Sequence, residues 1–196
     1  SGSNEYGYAV ALDDDGQVVA VLCRTCGSNS LVYVYEWSGS QWNLRAGTQI
    51  GSDLSQKITA IAMDGDGSVV AVTSKVLGAL RVYAWNGGAY ALSWQLTGKE
   101  DVGPVDLSQD GTIAAIGFGY ASTRQQKSGV YNSAGVIGAD SVPLNFAGSW
   151  GLWDPQSIRL SSDGTIVTVS ASDYGHAGET WVYRSGSWWY HWRERV

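Results

Sequence analysis

Basic residues are scarce in this chain. Lysine and arginine number 12 against 18 aspartates and glutamates, giving a formal net charge of −6 and a pI near 4.7. Binding along a nucleic-acid backbone needs clustered cations to displace counterions, so no nucleic-acid partner is expected. Arg193 and Arg195 form the one local basic cluster, and they read as a solvated strand end. No run of 18 apolar residues exists, so no membrane insertion by a helix is predicted. No charged start followed by an apolar stretch marks a signal peptide, although a mature or excised product would read the same way. Ser1-Gly2-Ser3 resembles a linker and is set aside.

Proline (3), methionine (1), phenylalanine (2) and histidine (2) are also rare. With only His176 and His191 available, no Ser-His-Asp arrangement can be assembled. Loop acids such as Asp101, Asp154 and Asp173 cannot be paired into a glycosidase site from sequence. No catalytic residue is assigned, and the chain is expected not to be an enzyme. The two cysteines, Cys23 and Cys26, form a C-x-x-C without the second pair that a structural zinc site needs. It also lacks the βαβ context of a thioredoxin-like motif. A local disulfide and a pair of inert thiols both remain open.

What the chain has in quantity is glycine (26), tryptophan (10) and tyrosine (11), with 44% hydrophobic and only 15% charged residues. That balance describes a folded chain with many tight turns, and amphipathic aromatics suit β structure. The arrangement is repetitive. An Asp-Gly pair recurs at Asp15-Gly16, Asp66-Gly67, Asp110-Gly111 and Asp163-Gly164, each time between two short apolar runs. Asp-Gly between apolar runs is a strong hairpin signal, because the turn needs positive φ. After each hairpin come a variable loop and a third strand: Leu31 to Trp37, Leu80 to Trp85, Gly129 to Tyr131, and Thr180 to Tyr183. Tight turns at Ser38-Gly39-Ser40, Asn86-Gly87-Gly88 and Ser185-Gly186 then introduce a fourth strand. In the third unit that strand falls somewhere in Val136 to Phe146 and is interrupted by Pro143.

Units of this size cannot bury a core alone and must stack. Val18 to Leu22 and Val69 to Val72 are nearly continuous apolar runs, as in sheets covered on both faces. The predicted fold is all-β: a single four-bladed β-propeller of four repeats of about 49 residues, with four antiparallel strands per blade. The blades fall approximately at 8–56, 57–102, 103–155 and 156–196.

The stretches Leu107-Ser-Gln-Asp-Gly-Thr-Ile-Ala-Ala-Ile-Gly117 and Val32-Tyr-Val-Tyr-Glu-Trp37, with Ser-Gly-x-x-Trp after the latter, resemble FG-GAP-like and WD-type β-propeller repeats over almost the whole chain. The family's Phe-Gly and Gly-Ala-Pro signatures are absent. The resemblance implies a propeller fold, in a group that includes adhesion receptors, lectins and extracellular scaffolds. Calcium loops of that family resemble Asp-x-Asp-x-Asp-Gly. Asp13-Asp14-Asp15-Gly16 lacks that alternation, and Asp64-Gly65-Asp66-Gly67 has only two carboxylates. An Asp-Gly hairpin turn accounts for all four copies, so no metal ligand is assigned and no cofactor is expected.

Trp37, Trp85, Tyr35, Tyr83, Tyr131 and Tyr183 recur at equivalent positions and are read as packing between blades. In a propeller, the loops after second strands and the linkers between blades emerge on one face, and here these are the segments that vary. Varied loops on a rigid scaffold carry function. The candidate ligand-binding residues on that face are Tyr120, Arg124, Trp150, Trp153, Asp154, Asp173, Tyr174 and His176. Aromatic faces with Asp and Arg suit a glycan or a protein ligand. The expectation is a non-catalytic extracellular or cell-surface recognition module, with glycan binding preferred. The alternative is a structural or protein-interaction scaffold, able to self-associate or to form part of a longer array.

Overall fold

The computed structural model describes residues 5–26, 29–51, 58–120, 125–137, 142–143, 155–173, 176–184 and 192–195. Each repeat forms its own antiparallel sheet, with strands in chain order. The first holds β1 (Tyr6–Leu12), β2 (Val18–Cys26), β3 (Asn29–Trp37) and β4 (Trp42–Ile50). In the second are β5 (Ile58–Met63), β6 (Val69–Ser74), β7 (Ala79–Trp85) and β8 (Tyr90–Leu96). The third sheet pairs β9 (Val105–Leu107), β10 (Ala114–Tyr120) and β11 (Gln125–Asn132). Its outer edge is two short pieces on β11, namely β12 (Gly135–Val136) and β13 (Val142–Pro143). Proline cannot donate to a ladder and is confined to such edges. β14 (Pro155–Leu160), β15 (Ile166–Asp173), β16 (His176–Arg184) and β17 (Trp192–Arg195) make the fourth sheet.

The Asp-Gly turns are built alike. Gly16, Gly67, Gly111 and Gly164 all have positive φ, between 67° and 74°, where glycine escapes the Cβ penalty. In each turn the aspartate Oδ1 accepts the backbone N–H two residues on: Asp15 from Gln17 (2.9 Å), Asp66 from Ser68 (2.9 Å), Asp110 from Thr112 (3.0 Å) and Asp163 from Thr165 (3.0 Å). Of the carboxylates that the sequence offered to calcium, Asp15 and Asp66 each engage Oδ1 in this way. Hydrogen bonds from Ser108 and Thr112 hold Asp110 below the usual carboxylate range, and those from Ser161 and Thr165 hold Asp163 down to about 2. Among the described residues no cluster of three metal-ligating side chains forms.

Strand alternation gives each sheet two faces, and the registers set the four sheets in residue-by-residue correspondence. The incoming face, directed at the preceding sheet, carries large side chains: Ile61, Met63, Val70, Val72 and Tyr83 in the second sheet. The outgoing face carries smaller ones beside the turn, Ala11, Ala20 and Val34 in the first and Ala62, Ala71 and Val82 in the second, with Leu22 and Leu80 further along. Large packs on small at three interfaces. Ala20, Leu22, Val32 and Val34 meet Ile61, Val70, Val72 and Tyr83. Ala62, Ala71, Leu80 and Val82 meet Leu107, Ile116, Phe118 and Tyr131. Ala115 and Val130 meet Ile158, Val167, Val169 and Trp181. This is interior packing of the kind that makes sheets adhere face to face.

A backbone ladder runs along one end of the stack. Asp14 N–H donates to the Gly65 carbonyl (3.0 Å), Gly65 N–H to Gln109 (2.9 Å), and Gln109 N–H to Ser162 (2.9 Å). The glycine of each turn also seats on the sheet before it: a Cβ on Gly67 would strike Val18, on Gly111 Val69, and on Gly164 Ile113, all within 3.0 Å.

Candidate functional site

The second-to-third-strand hairpins gather at one end of the sheets. Tyr120 closes β10 opposite Gln125, and Asp173 closes β15 opposite His176, so the backbone brings these three candidates to hairpin tips of neighbouring sheets. Arg124, Trp150, Trp153, Asp154 and Tyr174 lie outside the described residues. In the variable segments between second and third strands, at 23–30, 120–128 and 171–179, the described residues are strand. Cys26 pairs with Asn29, and β15–β16 pairing continues to Asp173. Ladder hydrogen bonds use only backbone groups, so pairing continues past the apolar pattern into polar sequence. Cys23 and Cys26 are joined by a disulfide with Cα atoms 5.6 Å apart, which decides between the two readings left open by sequence.

A cavity of about 410 Å³ lies along the inner strands of all four sheets, between Val10–Leu12, Ala60–Met63, Pro104–Asp106 and Ser157–Arg159. Asp106 is the one acid among the described residues of this lining. Burial raises its pKa, while the Leu160 N–H (2.7 Å to Oδ2) and the Arg159 guanidinium (3.7 Å to Oδ1) oppose that shift. The described residues of the lining do not include two facing carboxylates of the glycosidase kind. Its Asp-Arg pair ties the third sheet to the fourth.

The first and second sheets are tied by Arg45. Its guanidinium donates to the Gly67 carbonyl (3.0 Å) and the Tyr90 hydroxyl (2.9 Å), and lies 5.1 Å from the Trp85 ring. Burial pushes the Tyr90 phenol up to about 12. Beside it, Asp64 accepts from the Val69 N–H and the Ser68 hydroxyl, both at 2.9 Å, yet its burial raises its pKa to about 6. These groups are structural, holding a turn and an interface.

Among the described residues, the most exposed apolar surface is the incoming face of the first sheet. Val10 is 67% exposed, Leu12 56%, Leu44 51% and Tyr6 51%. Tyr6 lies 5.5 Å from the Tyr33 ring and shares a short hydrogen bond with the Tyr35 hydroxyl. Trp42, also exposed, stacks at 5.5 Å on Trp37. Tyr83, Tyr131 and Tyr183 are buried between sheets as expected, whereas their counterpart Tyr35 and the neighbouring Trp37 are only half-buried. Residues read as scaffold therefore form an open surface. The local sequence held no signal for this, since the first sheet carries the same residue types as its covered equivalents. The available clue was at the other end of the stack. Where the first and second outgoing faces have a pair of alanines and the third has Asp106 with Ala115, the fourth sheet has Arg159 and Thr168.

No protein-family model and no curated protein matches this chain. Among solved structures it is similar to TolB from Acinetobacter baumannii, at 16% identity and a TM-score of 0.60, over 94% of this chain and 42% of that one. It is also similar to a chain of the nidogen/laminin complex, at 12% identity and a TM-score of 0.58, over 87% of this chain and 58% of that one. The chain thus spans less than two thirds of both of these structures. The likeness is one of fold, and that fold is of the β-propeller type.

Proposed function

We propose that the four sheets are four blades of a β-propeller, and that the chain is a non-catalytic module whose first sheet binds a protein partner. The observation that carries this reading is the exposed incoming face of that sheet. Val10, Leu12, Tyr6, Leu44 and Trp42 expose an apolar surface with aromatic residues in it, and surfaces of this composition mark protein interaction sites. A structure similar to this chain comes from a complex of nidogen with laminin, which agrees with a protein ligand. The Cys23–Cys26 disulfide supports the extracellular or cell-surface reading, because such bonds persist in oxidising compartments. The test is affinity capture with the wild-type chain and with a Val10→Glu, Leu12→Lys variant, followed by calorimetric titration of the purified captured protein. Binding that drops at least tenfold in the variant supports the reading. Binding indifferent to both substitutions overturns it.

A second reading, glycan binding at the loop end, draws on the backbone positions that bring Tyr120, Asp173 and His176 to neighbouring hairpin tips. A glycan array with the wild-type chain and Trp150→Ala, with and without calcium, tests it. Saturable binding lost in the variant supports a lectin-like site, and an array without binding removes it.

A further inference from the structure

The first sheet's incoming face can be compared with three covered copies of itself. Val10, Leu12, Val19, Val21 and Tyr35 correspond in register to Ile61, Met63, Val70, Val72 and Tyr83 of the second sheet. The same positions in the third sheet are Val105, Leu107, Ala114, Ile116 and Tyr131, and in the fourth Ile158, Leu160, Val167, Val169 and Tyr183. In the second, third and fourth sheets these positions pack on the small-residue face of the sheet before. In the first, Val10 and Leu12 are exposed and line the open cavity shared with Ser157–Arg159, and no described sheet packs on them.

Two further observations mark the same vacancy. A Cβ on Gly16 would meet nothing within 4 Å, whereas those on Gly67, Gly111 and Gly164 would each strike the preceding sheet. The backbone ladder also starts at Asp14, whose N–H donates onward but whose carbonyl receives no bond of the series. What would cover this face is defined by the three existing interfaces: a four-stranded sheet with alanine where Ala20, Ala71 and Ala115 stand, valine where Val34, Val82 and Val130 stand, no cation where Ala11, Ala62 and Asp106 stand, and a backbone N–H at the Asp14 position.

The chain's own fourth sheet does not meet that description. Its outgoing face carries Arg159, Thr168 and Val182 at those positions, and Arg159 is 76% exposed beside Asp106. Laying that guanidinium on Val10 and Leu12 would strip its water without supplying a partner. β1 and β14 accordingly make no contact comparable to those of β1 with β5, β5 with β9, or β9 with β14. A second copy would offer the same Arg159 and Thr168 and fits no better.

We propose that the incoming face of the first sheet is the seat for one further four-stranded sheet of this same repeat class, carried by a partner polypeptide and presenting an alanine-rich outgoing face. This rests on the protein-binding reading above and names the class of partner. Binding continues the stack: small residues of the partner sheet cover Val10, Leu12, Val21 and Tyr35, and its backbone N–H reaches the Asp14 carbonyl.

The test uses the whole chain as both seat and probe. The probe is a donor chain in which Arg159→Ala and Thr168→Ala give the fourth sheet an Ala-Ala-Val outgoing face, with Val10→Glu and Leu12→Lys blocking its own seat. Mixed with the wild-type chain and followed by sedimentation velocity and amide hydrogen exchange, it is expected to form a 1:1 complex. Exchange at β1 of the wild-type chain should slow at least tenfold. Absence of a complex at 100-fold over the wild-type concentration overturns the proposal. So does equal binding by a donor that keeps Arg159 and Thr168, since the seat then takes a second copy. Should the donor not give the far-UV spectrum of the wild type, residues 57–102 are duplicated ahead of Glu5 in one variant and after Val196 in another. Slowed β1 exchange in the first alone supports the proposal, and unchanged exchange overturns it. If the donor does not bind while a captured protein still requires Val10 and Leu12, the partner class is wrong and the protein-binding reading stands.

Discussion

Leu12 and Leu107 are the same residue at the same position of the repeat, opposite Val19 in the first sheet and Ala114 in the third. Leu12 is 56% exposed and Leu107 is 6% exposed. Truncating each to alanine therefore measures the preceding sheet and little else. Leu107→Ala opens a cavity among Ala62, Ala71 and Val82 and should cost about 3 kcal/mol, within the usual range for buried leucine. Leu12→Ala removes a side chain with less than half its surface covered and no sheet above it, for about 1 kcal/mol or less. The difference of about 2 kcal/mol is roughly thirtyfold in the folding equilibrium. Urea unfolding followed by tryptophan fluorescence and far-UV circular dichroism reads it, with coincident transitions confirming that one equilibrium is measured. Equal costs would refute the reasoning, because Leu12 would then be buried in solution and the first sheet covered.

Three further outcomes are expected. Asp64 titrates at about 6 when folded against 3.8 as its ordinary value, so the native state holds the extra proton and stability contributed by this group falls as pH rises from 3.8 to 6. At about 1.4 kcal/mol per pH unit, Asp64→Asn should gain about 3 kcal/mol relative to wild type between pH 3.5 and 7, and parallel pH profiles in urea titrations would contradict this. Gly78 has φ of 56° and a Cβ there would lie 1.6 Å from the Lys99 carbonyl oxygen. Gly78→Ala should thus cost well over about 2 kcal/mol of left-handed strain and displaced backbone, read as a fall in urea midpoint. Reducing the Cys23–Cys26 bond frees a short loop, whose closure entropy is worth about 2 kcal/mol, and a midpoint unchanged by reductant would argue against that stabilisation.

Much of the architecture was legible because it is local. Asp15-Gly16 and its three repeats announce hairpins through positive φ and a side-chain bond two residues on, and both are properties of a tetrapeptide. The apolar run of β6 announces a sheet covered on both faces, whereas the like run of β2 leaves Val19 and Val21 half-buried on an open face. Less legible were the strand ends, because ladder pairing at Asp173 and His176 uses backbone groups that every residue possesses. The degraded edge of the third sheet was visible as a problem at Pro143, but its division into β12 and β13 was not. The loop candidates Arg124, Trp150, Trp153, Asp154 and Tyr174 lie outside the described residues, and Tyr120, Asp173 and His176 are placed by backbone register alone.

The sequence by itself determined the number of units, their turns, and the alternation that gives each sheet two distinct faces. Tertiary structure decided which of those sides is covered. Leu12 and Leu107 cannot be told apart by their neighbours along the chain, because burial belongs to a pair of sheets. Whether an apolar face is core or surface depends on the sheet that arrives against it, and that is settled by side chains such as Ala62 on one sheet and Arg159 on another, far apart in sequence.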